Sequence, residues 1–284
     1  MITSVHNEQV KRVCSLQSSK GREKHDAFLL EGWHVLSEAL KWRVPLSQIY
    51  IDPQKVDRAH GSAFVCSAIE RGAELIEVTE PVLRKMSSTG EPQGVVGVAR
   101  RVSVSWDDLI PDPTPIVSSS AAVQSMDSLL LILDRIQDPG NLGGILRVAL
   151  AAGVRRICLT SGTVDPYNPK AVRSSMGALF GLAVFREATP QAVAAHCQRY
   201  GYVVAAASAE GEPLDLKSGL SLNRPSMGRL ALILGNEGDG VAPCLLEQAD
   251  RRWSIPMENG VESLNVAVAA GILLYTLKYG RYEA

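Results

Sequence analysis

The sequence predicts an α/β protein in which a small α/β sandwich precedes a mostly parallel sheet. Continuous apolar runs in the second half, such as 129–133 and 230–234, are typical of strands buried on both faces of a parallel sheet. Helical patterns separate these runs, which favours a doubly wound sheet whose ligand lies at the carboxyl ends of its strands. A serine- and proline-rich stretch at 103–128 has no lysine or arginine and is predicted to be a linker.

The first half alternates helical and strand patterns. Helices are predicted at 8–16, 33–42 and 80–86, with another between the second and third strands, and strands at 27–30, 48–51, 75–78 and 94–99. Five basic residues cluster early in this half: Lys11, Arg12, Lys20, Arg22 and Lys24. They form either an ordinary solvated face or a binding surface, and the pattern alone leaves both open.

The second half shows a more regular alternation of strands and helices. Strands are predicted at 129–133, 156–160, 182–185, 202–207, 230–234 and 252–255. Helices are predicted between them at 142–152, 169–179 and 190–200, and a last helix from 263 to about 278. We therefore assign residues 1–102 and 129–284 to two domains, joined by the predicted linker.

Composition excludes several classes of protein. With 46% hydrophobic and 21% charged residues, the 284-residue chain is neither disordered nor fibrous. A net charge of −1 argues against a protein that coats nucleic acid. The apolar run at 266–275 is too short to span a membrane, which takes about 20 residues, and the polar N-terminus has no signal-peptide core. The five cysteines contain no CxxC pair and the histidines no HxxxH pair, so we expect a reduced, cytoplasmic protein without a metal site.

Three segments that follow predicted strands carry candidate chemistry. In the first, Asn141 opens a helix on which Arg147 lies opposite the apolar face. The second is the glycine-rich stretch 235–240, which is neither a Walker A loop nor GxGxxG. Its Glu237 and Asp239 would repel phosphate, which favours a phosphate-free or cationic ligand.

The third segment leads into the last helix. Ser263 is predicted to be its N-cap. The helix after it is apolar on all sides, so we expect it to be buried and Asn265 in its first turn to be hydrogen-bonded. Each segment alone is also explained by an ordinary turn, cap or solvated side chain.

Together the three segments closely resemble the SpoU (TrmH-like) family of the SPOUT superfamily, RNA ribose 2′-O-methyltransferases. The matching motifs are Asn141 with Arg147, 232–238, 255–257 and 263–266, with a further likeness at 170–178. The N-terminal half separately resembles the L30e-like substrate-binding domain common in this family. That likeness lies in Ser4, Asn7, Val10, Lys11 and the stretch 28–32.

The resemblance implies a C-terminal SPOUT domain with a trefoil knot that binds S-adenosylmethionine and works as a homodimer. By motif, Gly235, Ile255 and Leu264 would bind the cofactor. Catalytic positions would be Arg147, Asn141, Glu237, Ser263 and Asn265. Family reasoning gives Arg147 a part in deprotonating the target hydroxyl. Because a guanidinium rarely gives up its proton, we favour a role in clamping phosphate and stabilising the developing alkoxide.

RNA is the expected partner, with ribosomal RNA favoured over transfer RNA by analogy. Lys11, Arg12, Lys20, Arg22 and Arg173 are the predicted RNA contacts. A non-catalytic RNA-binding or ribosome-assembly protein on the same scaffold is the alternative, against which the four polar motif residues Arg147, Glu237, Ser263 and Asn265 argue. An NAD-dependent oxidoreductase would need the GxGxxG that this chain lacks.

Overall fold

Two separate sheets organise the chain. The computed structural model describes residues 1–55, 58–111, 126–214 and 229–279, the side chains of 58–63 and 127 excepted. Its helices are α1 Glu8–Ser15, α2 Ser19–His25, α3 Trp33–Lys41, α4 Arg58–Glu70, α5 Glu80–Met86, α6 Pro139–Ala152, α7 Pro169–Ser174, α8 Pro190–Arg199, α9 Pro243–Leu246 and α10 Val266–Tyr279. Its strands are β1 Ala27–Glu31, β2 Leu46–Ile51, β3 Glu74–Glu77, β4 Val95–Arg100, β5 Leu129–Leu133, β6 Arg156–Thr160, β7 Ala183–Ala188, β8 Tyr202–Pro213, β9 Arg229–Leu234 and β10 Arg251–Ser254.

The first unit comprises Met1–Val102 and Asp165–Phe180. Its sheet has the order β1-β4-β2-β3, with β4 antiparallel to both neighbours and β2 parallel to β3. Apolar side chains from α1, α5 and the strands form its core. The segment 165–180 comes from the range predicted for the second domain, yet α7 packs against β1 within this unit. The domain boundaries stay predictions.

Helix α2 is absent from the sequence-based prediction. Ser18 caps its N-terminus by accepting a hydrogen bond from the Gly21 N–H at 3.1 Å. A Cβ at Gly21 would lie 1.9 Å from the carbonyl oxygen of Ser15, so only glycine permits this close approach between α1 and α2. Charged residues dominate α2 and hide its helical pattern.

The second unit comprises Ser103–Val164 and Gly181–Ala284. Its six strands have the order β10-β8-β9-β5-β6-β7, and every pairing is parallel. The central strand β5 is buried throughout, as its apolar sequence requires. The predicted parallel α/β fold is therefore confirmed, while the trefoil knot stays a prediction.

The described part of the predicted linker packs into the second unit. Leu109 is fully buried, and the Trp106 ring lies 4.3 Å from that of Phe185, centroid to centroid. Residues 112–125 lie outside the described residues. Among the helices that the structure describes, none is long and apolar enough to cross a membrane. All five cysteines lie within the described ranges as free thiols.

The predicted helix at 169–179 ends early. Helix α7 stops at Ser174, and the chain then takes positive φ angles of 50° at Met176 and 87° at Gly177. Left-handed backbone terminates an α-helix, so the next turn is a separate 3-10 helix at Ala178–Gly181.

Candidate active site

A cavity of about 560 Å³ lies in the second unit, where the chain leaves β9 and β10. That volume is in the range of small-molecule sites. Its walls include the 235–240 loop and the stretch that leads into α10. The three predicted cofactor residues, Gly235, Ile255 and Leu264, all line it, as do Glu237 and Ser263. Residues more than 20 positions apart in sequence thus meet at one site because parallel strands end at the same edge.

The 235–240 loop closes on itself. Asn236 and Gly240 exchange two backbone hydrogen bonds, of 2.9 and 3.0 Å. A Cβ at Gly235 would lie 2.1 Å from the backbone nitrogen of Val241, so no other residue fits there. The Asn236 side chain accepts from the N–H groups of Gly238 and Asp239 at 2.8 and 3.0 Å. Sequence reasoning missed this role, although asparagine is known to form turns by bonding the backbone N–H two residues further on.

A chain of hydrogen bonds links three of the predicted catalytic residues. The Asn265 amide donates to Asn141 Oδ1 at 2.8 Å, and Asn141 Nδ2 donates to Glu237 Oε1 at 3.0 Å. The Glu237 carboxylate also faces the backbone N–H groups of Gln137 and Asp138, both at 3.3 Å. We call Asn265, Asn141 and Glu237 the polar relay. It joins the N-terminus of α10, the first turn of α6 and the 235–240 loop.

The environment of Glu237 favours its charged form. Partial burial acts to raise the pKa of this carboxyl group. Hydrogen bonds from the Asn141 amide and from backbone N–H groups outweigh burial, and the pKa lies below the ordinary glutamate value of 4.5. Glu237 is therefore an acceptor at neutral pH, and this fixes the direction of the relay.

The cavity lining is acidic. None of the lining residues that the structure describes is a lysine, arginine or histidine. Four of the lining side chains are carboxylates: Glu210, Glu237, Asp239 and Glu262. This charge distribution opposes a phosphate-bearing ligand and favours a cationic one. The glycine-rich loop alone predicted a phosphate-free or cationic ligand, and the charge of the whole cavity lining favours the same kind of ligand.

The start of α10 differs from the prediction. Ser263 is not the cap, because α10 begins at Val266, and the Asn265 side chain accepts from the Ala267 N–H at 2.9 Å. The expectation that α10 is buried on all sides is also wrong, since Val268 is 52% exposed. Asn265 lies at the surface rather than in the core. An apolar sequence alone did not distinguish a buried face from one left open.

Comparison with known proteins identifies the family. The model of the SpoU rRNA Methylase family matches residues 128–275, and that of the MRM3-like substrate binding domain matches residues 7–97. The chain belongs to the SpoU rRNA methylase family. It is therefore an RNA methyltransferase, and the sequence-based recognition of the family is confirmed.

Individual relatives cover nearly the whole chain. The 23S rRNA (guanosine(2553)-2′-O)-methyltransferase RlmP of Bacillus subtilis is 32% identical over 98% of each chain. Human mitochondrial rRNA methyltransferase 3 is 30% identical over 92% of this chain and 69% of its own length. The AdoMet-bound rRNA methyltransferase of Sinorhizobium meliloti is 28% identical, with a TM-score of 0.78 over 97% of this chain and 95% of that one.

The structure leaves Arg147 of the enzyme outside the cavity lining. It lies two turns after Asn141 on the exposed side of α6, as its helical position predicts. Its guanidinium has no hydrogen bond or ion pair with any residue that the structure describes. Arg147 is thus an exposed positive charge without a counter-charge in the part of the chain that the structure describes.

The predicted RNA contacts fall into two groups. Lys11, Arg12 and Lys20 are exposed on α1 and α2, and Lys11 pairs with Glu8 at 2.7 Å. Arg173 bonds Glu31 at 3.1 Å but keeps 30% of its side chain accessible. For these four residues, contact with RNA stays a prediction.

Arg22 requires a correction. Its side chain is 2% exposed and lies 2.7 Å from the carboxylate of Asp165. It also donates to the carbonyl oxygens of Leu16 and Gln17 at 3.1 and 3.0 Å. The prediction that Arg22 contacts RNA is therefore wrong, because its guanidinium is enclosed and matched inside the first unit.

Proposed function

We propose that the enzyme transfers a methyl group from S-adenosylmethionine to a ribose 2′-hydroxyl of ribosomal RNA. The observation that carries the proposal is the acidic cavity, which the polar relay joins to the first turn of α6. The names of the relatives support the finer points. RlmP and the human protein are both named as rRNA methyltransferases, and the Sinorhizobium protein was solved with AdoMet bound.

The donor set of the cavity fits this cofactor. S-adenosylmethionine carries no phosphate, and when bound it supplies a methyl group activated by a positive sulfonium. Gly235, Ile255 and Leu264 are the residues we assign to holding it. The carboxylates that line the cavity match its positive charge.

The chain's own residues align the acceptor. Methyl transfer is an in-line displacement, so it requires a fixed hydroxyl and removal of the hydroxyl proton. The polar relay bonds Asn141 to Glu237, which lines the cavity, and Ser263 lines the same cavity. We assign Arg147 to binding the RNA phosphate and stabilising the developing alkoxide, because a guanidinium is a poor base with a pKa above about 12.

We infer further that the enzyme is a homodimer. Three exposed side chains, Val268, Tyr275 and Tyr279, are 52%, 42% and 52% accessible and share one face of α10 by helical spacing. An apolar stripe of this kind is typical of an interaction surface.

The test of the catalytic assignment is Arg147→Ala. We expect methyl transfer to RNA to be lost while affinity for S-adenosylmethionine, measured by isothermal titration, stays close to wild type. Arg155→Ala is the matched control, since Arg155 is also exposed in the second unit. Wild-type transfer by Arg147→Ala would remove the assignment, and absence of binding heat with the wild-type protein would refute the cofactor. Mapping 2′-O-methyl groups in RNA from cells with and without the enzyme tests the substrate.

A further inference from the structure

Two residues outside the cavity lining, Asp134 and Arg135, hold the loop that forms one of its walls. Both directly follow β5. The Asp134 carboxylate is 1% exposed and accepts from the Ala242 N–H, just beyond the loop, at 2.8 Å. It also accepts from the Thr160 hydroxyl of β6 at 2.8 Å. This buried carboxylate therefore ties the exit of the loop to the ends of two central strands.

Arg135 binds the base of the loop from both sides. Its Nη2 donates to the Gly240 carbonyl at 3.0 Å, and its own carbonyl accepts from the Asn236 amide at 2.8 Å. Its Nε and Nη2 lie 3.2 and 3.1 Å from Asp134 Oδ2, which orients the guanidinium. Asn236 and Gly240 are the two residues that close the loop, so one arginine contacts both halves of the closure.

The backbone of Arg135 is in an unfavourable conformation for its residue type. Its φ is 55°, in the left-handed region that favours glycine and asparagine. The Arg135 N–H donates to Thr160 Oγ1 at 3.0 Å, which helps to hold that conformation. A glycine would suit this backbone better but would lack the guanidinium. Strain of this kind persists where surrounding contacts over-determine it, and here those contacts are made with Thr160 and with the loop.

We propose that Arg135 is a positioning residue that locks the 235–240 loop in the shape that binds the cofactor. This rests on the proposed function, which assigns Gly235 to the cofactor and Glu237 to the polar relay. Both residues lie in the locked loop. Arg135 acts through Gly240 and Asn236, since it is not itself among the cavity-lining residues.

The experiment compares Arg135→Gly with Arg135→Ala. Both remove the guanidinium, but glycine relieves the left-handed strain and alanine keeps it, so Arg135→Ala should have the lower Tm. We expect amide hydrogen exchange at 235–240 to rise about tenfold in both variants without cofactor. Affinity for S-adenosylmethionine should fall by a similar factor, about tenfold, in both. Arg135→Lys, which keeps a donor, should recover part of the affinity, and Arg155→Ala should match wild type.

Unchanged exchange and affinity in Arg135→Gly would overturn the proposal. An affinity loss confined to the less stable Arg135→Ala would overturn it too, because the loss would then follow stability rather than the missing contact. Failure of the proposed function looks different. If wild-type protein does not bind S-adenosylmethionine, the cofactor assignment fails, while hydrogen exchange in Arg135→Gly still decides whether the arginine locks the loop.

Discussion

At the scale of single residues, side chains of the same charge have different roles according to their surroundings. Arg22 and Lys20 lie two positions apart on α2, yet one is enclosed in the first unit and the other is exposed. Glu237 is held among hydrogen-bond donors, whereas Glu8 pairs with Lys11 at the surface. The chemistry of each charge therefore follows from what its atoms contact.

Arg22→Ala should destabilise the protein strongly. The substitution removes the Arg22 guanidinium from its mostly buried ion pair with Asp165, and the loss of one partner of such a pair costs about 3 kcal/mol of unfolding free energy. Lys20→Ala on the same helix should change stability by less than about 0.5 kcal/mol and instead weaken RNA binding. Urea unfolding of the two variants checks this prediction. Equal stability of both would show that the buried pair contributes nothing.

Glu237→Gln should lower stability in a pH-dependent way. A glutamine amide would place its own N–H groups against donors that now face a carboxylate. Because folding lowers the pKa of Glu237 below 4.5, its stabilising contribution is complete above that value and is lost as pH falls through the folded pKa. The Tm gap between wild type and variant should be constant from about pH 7 to 5 and narrow below 4.5. A gap that widens on acidification would contradict this.

At the scale of elements, α6 and α10 bring the polar relay together. The two helices pack closely, since a Cβ at Gly144 would lie 3.2 Å from that of Ala267. Glycine at this contact lets the N-terminal turns approach until Asn265 reaches Asn141. Asn265 thus has two tasks, as the cap of α10 and as the first donor of the relay.

Two substitutions at Asn265 separate these tasks. Asn265→Ser keeps a capping oxygen but is too short to reach Asn141, so we expect a nearly unchanged Tm and methyl transfer reduced about threefold to tenfold. Asn265→Ala removes the cap as well and should cost a further 1 kcal/mol or so, about the usual value of a cap. Thermal unfolding and single-turnover methyl transfer provide the readouts. Normal transfer by Asn265→Ser would mean that the relay does not serve catalysis.

At the scale of the whole molecule, one chain leaves two features incomplete. The apolar stripe of α10 is exposed, and Arg147 has no counter-charge among the described residues. The proposed homodimer would cover the stripe, and the RNA phosphate assigned to Arg147 would supply its counter-charge. The acidic cavity, by contrast, is formed within the second unit alone.

Val268→Glu should convert the proposed dimer to monomers. A buried carboxylate at the centre of an apolar interface is costly, whereas at the present exposed position it barely affects folding. Sedimentation equilibrium should therefore show a folded monomer with strongly reduced methyl transfer, and its Tm should fall because association no longer stabilises the folded state. Val268→Thr, which has nearly the same shape, is the control and should remain dimeric. Dimers of Val268→Glu would place the interface elsewhere.

The sequence by itself determined the parallel sheet and the place of the site. A strand buried in a parallel sheet can be identified from its own continuous apolar sequence, without knowledge of the neighbouring strands. The loops that follow such strands meet at one edge of the sheet. The loops after β9 and β10 were therefore predictable as neighbours, and the family resemblance singled out Gly235, Ile255 and Leu264 near them. The motif residues 141 and 147 were predictable as parts of one helix.

Only the tertiary structure decided which polar groups are enclosed and which contacts fix the loop. Arg22 is buried against Asp165, which lies 143 positions away in the sequence. Arg135 donates a hydrogen bond to Gly240, which lies 105 positions away. At the start of α10, two residues were able to cap the helix, and the structure shows that Asn265, which also bonds Asn141, does so rather than Ser263. Hydrophobic periodicity shows which residues share a face of one helix or strand. These contacts join elements that are distant in sequence, so no local sequence pattern predicts them.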